Sequence, residues 1–143
     1  MAAPLDGIRV LELANWVAVP AATALMADMG AEVIKIEPPG GDIYRGVVLR
    51  SFGYEFDFKT NYAFQTDNRG KRSITIDIEK PGGAALVRRL AADVDIFLTH
   101  LIPSRLVKYG LTEPTCGRPT TSPSTSRSPG TAARGRMQNA PAS

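Results

Sequence analysis

The last 31 residues of this 143-residue chain hold no material for a core. Residues 113–143 contain no Leu, Ile, Val, Phe, Tyr or Trp, and 22 of the 31 are Pro, Ser, Thr, Gly or Ala. Such a segment buries too little apolar surface to offset the entropy of ordering it. Any fold therefore belongs to the first 112 residues. The expected organisation is one α/β domain over 1–112 and a low-complexity disordered tail over 113–143.

The junction also divides the charge. The chain carries a formal +3 at pH 7. The tail supplies all of it, with Arg118, Arg127, Arg134 and Arg136 against Glu113. The remaining basic and acidic residues cancel, so a nucleic-acid partner loses its main support. The single cysteine, Cys116, excludes an intrachain disulfide or a cysteine-based metal cluster, and it reads as an exposed tail thiol. There is no signal-peptide pattern at the N-terminus. No apolar run approaches the roughly 20 residues that span a bilayer. The expectation is a cytoplasmic protein with no membrane contact and no metal.

Within the first 112 residues the punctuation is regular. Asp6-Gly7 is a turn, and residues 8–13 form a short apolar strand. Residues 15–20 read as a loop, with Pro20 suited to a first helical turn. Ala21 to Met29 reads as a helix stopped by Gly30, and Glu32 to Glu37 as a second strand stopped by Pro38, Gly40 and Gly41. Strand, helix and strand at this spacing make a βαβ unit with a parallel pair. Residues 42–60 lack a period and read as a long loop. Tyr62-Ala63-Phe64 reads as a short buried stretch, and residues 68–71 as a turn. Ser73 to Ile78 alternates as a strand, Pro81 to Ala92 as a helix, Asp95 to Thr99 as a strand, and Ser104 to Tyr109 as a short helix closed by Gly110. The fold class is α/β, a Rossmann-like parallel sheet.

Parallel sheets bind ligands beyond the carboxyl ends of their strands. The loop after the first strand, residues 14–19, lacks G-x-G-x-x-G, which disfavours a dinucleotide enzyme, and no P-loop pattern occurs. A helix start near residue 20 remains able to hold a phosphate. Glu37 stands where an acidic group meets a ribose hydroxyl, and reads equally as a solvated strand-end charge. His100, the single histidine, lacks partners for a metal site and reads more readily as structural. Trp16 reads as packing on the sheet, and Lys71, Arg72 and Lys108 as solvated charges able to meet phosphates. No nucleophile–base pair is evident from spacing.

The stretch PLDGIRVLELANWVAVPAATALMADMGAEVIKIEPPGGD closely resembles the opening of the family III CoA-transferases. This group includes formyl-CoA:oxalate CoA-transferase, the carnitine CoA-transferases and α-methylacyl-CoA racemase. NRGKRSITIDIEKPGGAALVRRLAADVDIFLTH and then YGLT continue the match in register, so the resemblance covers residues 4–112. It implies a Rossmann-like coenzyme A domain, transfer of CoA from an acyl-CoA to a carboxylic acid, and a homodimer of interlocked chains. It leaves open a racemase of the same family, or a stand-alone CoA-binding module.

By position, the resemblance assigns Val17 and Ala18 to the CoA site. Pro38 falls where some members place an Arg on the nucleotide. Ile76, Asp77, Ile78 and Glu79 form a CoA-contacting stretch, with Lys80 close by. His100 and Leu101 fall where the family usually has Asn-Phe, and Lys108 where it has a basic residue near the phosphates. The family's N-F-R-P-G is replaced here by residues 100–104, HLIPS. The catalytic aspartate of the transferases, and the His and Asp of the racemases, lie beyond the matching stretch. The resemblance therefore implies a truncated, inactive form.

The tail has a further reading. Shifting the frame by one base from Pro114 permits a string ending in G-Y-G. The same shift from Met137 permits one ending in R-P-G-F. Both are patterns the family has downstream. Residues 113–143 are therefore expected to be a frameshifted translation.

Overall fold

The computed structural model describes residues 3–46 and 61–112. Residues 47–60 of the loop expected over 42–60, Cys116 and the whole tail from 113 lie outside the described residues. Four parallel strands form one sheet, β1 (Arg9–Leu13), β2 (Glu32–Glu37), β3 (Arg72–Thr75) and β4 (Ile96–Thr99), in the order β3-β2-β1-β4. The order reverses between β1 and β4. That is the topological switch point, where the strand ends part and leave a crevice.

Helices cover both faces, as parallel crossovers require. On one face lies α1 (Ala18–Asp28), with α2 (Tyr62–Asn68) beside it. On the other lie α3 (Pro81–Ala92) and α4 (Pro103–Tyr109). The strand pleat sorts the side chains between them. Leu11, Leu13 and Ile36 pack with Val87, Ala91 and Tyr109 under α3 and α4. Val10, Val33 and Leu98 pack with Ala31, Val19 and Met26 under α1.

Several boundaries differ from the sequence reading. Helix α1 begins at Ala18, inside the expected loop, and Pro20 sits in its first turn, where no N–H is needed. Residues 62–64, expected as a short buried stretch, are the start of α2, and only Phe64 of the three is buried. The helix is set by Asn61, whose Oδ1 accepts the Phe64 N–H at 2.9 Å while its Nδ2 donates to the Tyr44 carbonyl at 2.6 Å. Strand β3 ends at Thr75 rather than Ile78. Asp77 is the reason. Its Oδ1 accepts the Glu79 N–H at 3.1 Å, a local turn that competes with the ladder. A short 3₁₀ turn, Ile43–Gly46, breaks the expected loop after β2.

Candidate functional site

The ends of β1 and β4 are laced together at the switch point. Thr99 Oγ1 donates to the Leu13 carbonyl at 2.9 Å and accepts the Leu101 N–H at 3.1 Å. One residue on, the Asn15 N–H donates to His100 Nδ1 at 3.3 Å. Trp16 follows with a positive φ of 66°, a left-handed conformation unusual for a bulky residue. Its ring lies 6.1 Å from that of Tyr44, and α1 begins two residues on, at Ala18.

Between these ends and the β3–α3 turn lies a cleft of about 210 Å³. It brings together seven of the residues assigned from sequence: Pro38, Ile76, Asp77, Ile78, Glu79, His100 and Leu101. Leu13, Ala14, Asn15, Ile36 and Arg105 complete the wall. Leu13, Ile36, Ile76, Ile78 and Leu101 are its apolar residues, and Asp77, Glu79 and Arg105 its charged ones. Val17, Ala18 and Lys108 do not line the cleft. Val17 and Ala18 are exposed at the start of α1, which lacks a side-chain cap. Pro20 also removes one of its first-turn donors.

At the rim, Glu79 gathers its neighbours. Lys108 Nζ donates to Glu79 Oε2 at 3.0 Å, and the Tyr109 hydroxyl donates to Oε1. Arg105 Nη2 stands 3.8 Å from Oε1. The Tyr109 and Lys108 hydrogen bonds hold the Glu79 carboxyl below its ordinary pKa. Glu79 in turn raises that of Lys108. Lys108 is thus ion-paired with Glu79 at the rim and keeps its charge. Arg105, which the sequence reading passed over, is the more loosely held cation. The signal for it was its place two residues after Pro103, within the first turn of a helix that follows a strand end.

His100 is exposed by accessible surface, yet it lines the cleft and part of its ring is desolvated. That desolvation, with Lys35 and Arg105 adding to it, lowers its pKa from the ordinary histidine value against the pull of Asp42 and Glu12. The ring therefore favours the neutral form near neutral pH.

Glu37 matches neither of its sequence readings. It is 4% exposed, so it is not a solvated strand end. Its oxygens are already taken. Arg45 grips both, Nε to Oε2 and Nη2 to Oε1, each at 2.7 Å. Ser73 Oγ donates to Oε1 at 2.7 Å, and the Asp42 N–H to Oε2 at 3.0 Å. A ribose hydroxyl has no lone pair left to meet. The Arg45 hydrogen bonds, with help from Ser73 and Asp42, pull its pKa down to about 2 against the opposing effect of burial.

Under α1 the sheet carries a buried ionic network that the sequence reading missed. Glu12 and Lys35 are register partners on β1 and β2. Lys35 Nζ donates to Glu12 Oε1 at 2.6 Å and to the Ala14 carbonyl at 2.8 Å, and makes an ion contact to Asp42 Oδ2 at 2.8 Å. Lys71 Nζ donates to Glu12 Oε2 and to the Pro20 carbonyl, both at 2.8 Å. The Thr23 hydroxyl donates to Glu12 Oε2 as well. Lys71 is therefore a buried strut and not a solvated phosphate contact. Burial pushes its pKa down, while Glu12 works the other way. The network positions the cleft: by holding the Ala14 carbonyl, Lys35 fixes the loop from which Asn15 reaches His100.

Among the described residues no group of three or more His, Cys, Asp or Glu is placed to hold a metal ion. No described helix is long and apolar enough to cross a membrane.

The chain has relatives. A family model described as CoA-transferase family III matches residues 5–119. The mouse (Mus musculus) succinyl-CoA:glutarate CoA-transferase is 41% identical over 108 residues, which are 76% of this chain and 24% of that protein. The succinyl-CoA–D-citramalate CoA-transferase of Chloroflexus aurantiacus is 44% identical over 109 residues, 76% of this chain and 26% of that protein. Among solved structures, a CAIB/BAIF family protein from Brucella suis superposes with a TM-score of 0.67 at 38% identity, over 80% of this chain and 30% of that one. The chain spans about a quarter of the length of the curated relatives it matches.

Proposed function

Because the chain belongs to CoA-transferase family III, we propose that its described residues are the CoA-binding part of an enzyme that moves CoA from an acyl-CoA to a carboxylate. The observation that carries this reading is the cleft at the β1/β4 switch point. Residues assigned from three separate stretches of sequence meet there: Pro38 after β2, Ile76 to Glu79 after β3, and His100 with Leu101 after β4. Val17, Ala18 and Lys108 belong to the same site as its outer contacts, at the α1 start and beyond the Glu79 rim. Transfer exchanges one thioester for another: the acceptor carboxylate becomes the new acyl-CoA and the donor acid is released.

The polypeptide of these 143 residues is read as binding CoA without completing transfer, since the resemblance puts the transferases' catalytic aspartate beyond the matching stretch. Residues 113–143 are read as a frameshifted translation following a domain that ends at Thr112. A homodimer in the cytoplasm completes the reading. Ile102 and Val107 support assembly, being 61% and 69% exposed on and beside α4, apolar surface of the kind a larger subunit covers.

Calorimetry with CoA tests the binding reading: saturable binding that Asp77→Lys or Leu101→Arg abolishes is expected, and no binding by a folded chain overturns it. Turnover of an acyl-CoA and a free carboxylate by the purified 143-residue chain would overturn its inactivity. DNA sequence across the Thr112 codon decides the tail; an intact frame in independent isolates would sink the frameshift.

A further inference from the structure

The cleft contains one side chain whose hydrogen-bonding role is decided by the backbone beside it. His100 Nδ1 accepts the Asn15 N–H at 3.3 Å. A nitrogen that accepts carries no proton. In a neutral imidazole the proton then sits on Nε2, which becomes a donor. The arrangement is not free to invert, because the Asn15 amide cannot change from donor to acceptor. The loop that carries it is held in turn by Lys35 on the Ala14 carbonyl at 2.8 Å. On the other side, Thr99 ties the start of the His100 loop to β1 through the Leu13 carbonyl.

We propose, resting on the CoA reading of the cleft, that His100 is a binding residue held as the neutral Nε2–H tautomer, donating to a hydrogen-bond acceptor of bound CoA, and that protonation of its ring weakens binding. Protonation places a second N–H on Nδ1, facing the Asn15 N–H. Two donors then oppose each other, and the strap between the β1 and β4 ends is lost. The charged groups acting on the ring are Glu12 on β1, Lys35 on β2, Asp42 after β2 and Arg105 on α4, while Asp77 and Glu79 line the β3–α3 side of the same cleft. Their effects oppose one another, and desolvation tips the balance toward the neutral ring.

The chain has a single histidine, so one ring is read in a nitrogen–proton correlation spectrum without assignment variants. The full chain is titrated free and with CoA, and CoA affinity is measured at about pH 7.5 and about pH 5.5 for wild type and His100→Asn. Asn keeps an acceptor and a donor but does not titrate. The 3′-phosphate of CoA titrates near pH 6 in both proteins, so the comparison cancels it. The expected results are an Nε2–H tautomer in the free protein and a ring pKa lowered further by CoA. Wild-type affinity should fall on acidification by up to about tenfold relative to His100→Asn. An Nδ1–H tautomer, a ring pKa raised by CoA, or equal pH dependence in the two proteins overturns the inference while leaving CoA binding intact. Failure of both proteins to bind CoA overturns the reading of the cleft itself, and the inference with it.

Discussion

Lys35 Nζ and Glu12 Oε1 meet at 2.6 Å across adjacent strands, with the two side chains 1% and 0% exposed. Each charge depends on the other, and both depend on Lys71 and Asp42. Removing one partner of such a pair leaves an unpaired charge in the interior, which costs about 3–5 kcal/mol. Lys35→Met is expected to destabilise by that amount in denaturant unfolding. It also frees the Ala14 carbonyl, so any folded variant should bind CoA more weakly. A loss below about 1 kcal/mol, the range of a surface pair, would show that water reaches the network.

Glu37 gives the fold a particular response to acid. Its folded pKa, about 2, lies below the ordinary value of 4.5. A depressed carboxylate pKa adds stability above the unfolded value, and that stability is lost as pH falls through the folded one. The loss is expected between about pH 4.5 and about 2. Glu37→Gln should flatten the stability curve across that window. Unfolding midpoints measured at several acid pH values check this. A variant curve parallel to wild type would mean that Arg45, its side chain 47% exposed, does not hold Glu37 in solution.

The elements most legible in the sequence were those bounded by glycine or proline. Strand β2 and helix α3 begin and end where the reading placed them, because Gly30, Pro38 and Pro81 stop or start the chain by their own backbone limits. The end of β3 was not legible. The alternation of Ile74, Ile76 and Ile78 continues past it, and the ladder gives way to a turn in which the Glu79 N–H bonds the Asp77 side chain and the Lys80 N–H the Asp77 carbonyl. Seven positions assigned through the resemblance come together in one cleft, whereas the buried charges behind it were not legible. Nothing in the sequence marks Glu12 and Lys35 as buried until their neighbours on the next strand are known. The period-2 pattern does place Glu12 on the face of Val10 and Lys35 on that of Val33. That was the available hint, and register supplied the rest.

Two adjacent glycines in the first turn of α3 should respond to alanine with opposite signs. A Cβ at Gly82 meets nothing within 4 Å, whereas at Gly83 it would stand 1.9 Å from the Asp77 carbonyl oxygen. Gly82→Ala is expected to stabilise by about 0.4–1 kcal/mol, through a less flexible unfolded chain and better helix propensity. Gly83→Ala must push the turn away and is expected to destabilise by about 1–3 kcal/mol. Because that turn is the Asp77–Glu79 wall of the cleft, Gly83→Ala should also lower CoA affinity, and Gly82→Ala should not. Thermal unfolding and calorimetry on the pair check both parts.

The Glu79 rim makes the last prediction, and its sign is the informative part. Lys108 and Arg105 both lean on one carboxylate, at 3.0 Å and 3.8 Å, so their charge is partly cancelled at the mouth of the cleft. If CoA phosphates approach this edge, Glu79 competes with them for the same cations. Glu79→Gln removes the competing charge, and Gln still accepts the Tyr109 hydroxyl hydrogen bond. CoA affinity should then rise several-fold at low salt, and the gain should shrink as salt screens the rim. Lys108→Met should lower affinity, and in the Glu79→Gln background it should remove most of the gain. Dephosphorylated pantetheine should ignore all three changes. Affinity for CoA that falls in Glu79→Gln would place the phosphates elsewhere and leave Glu79 itself as the ligand contact.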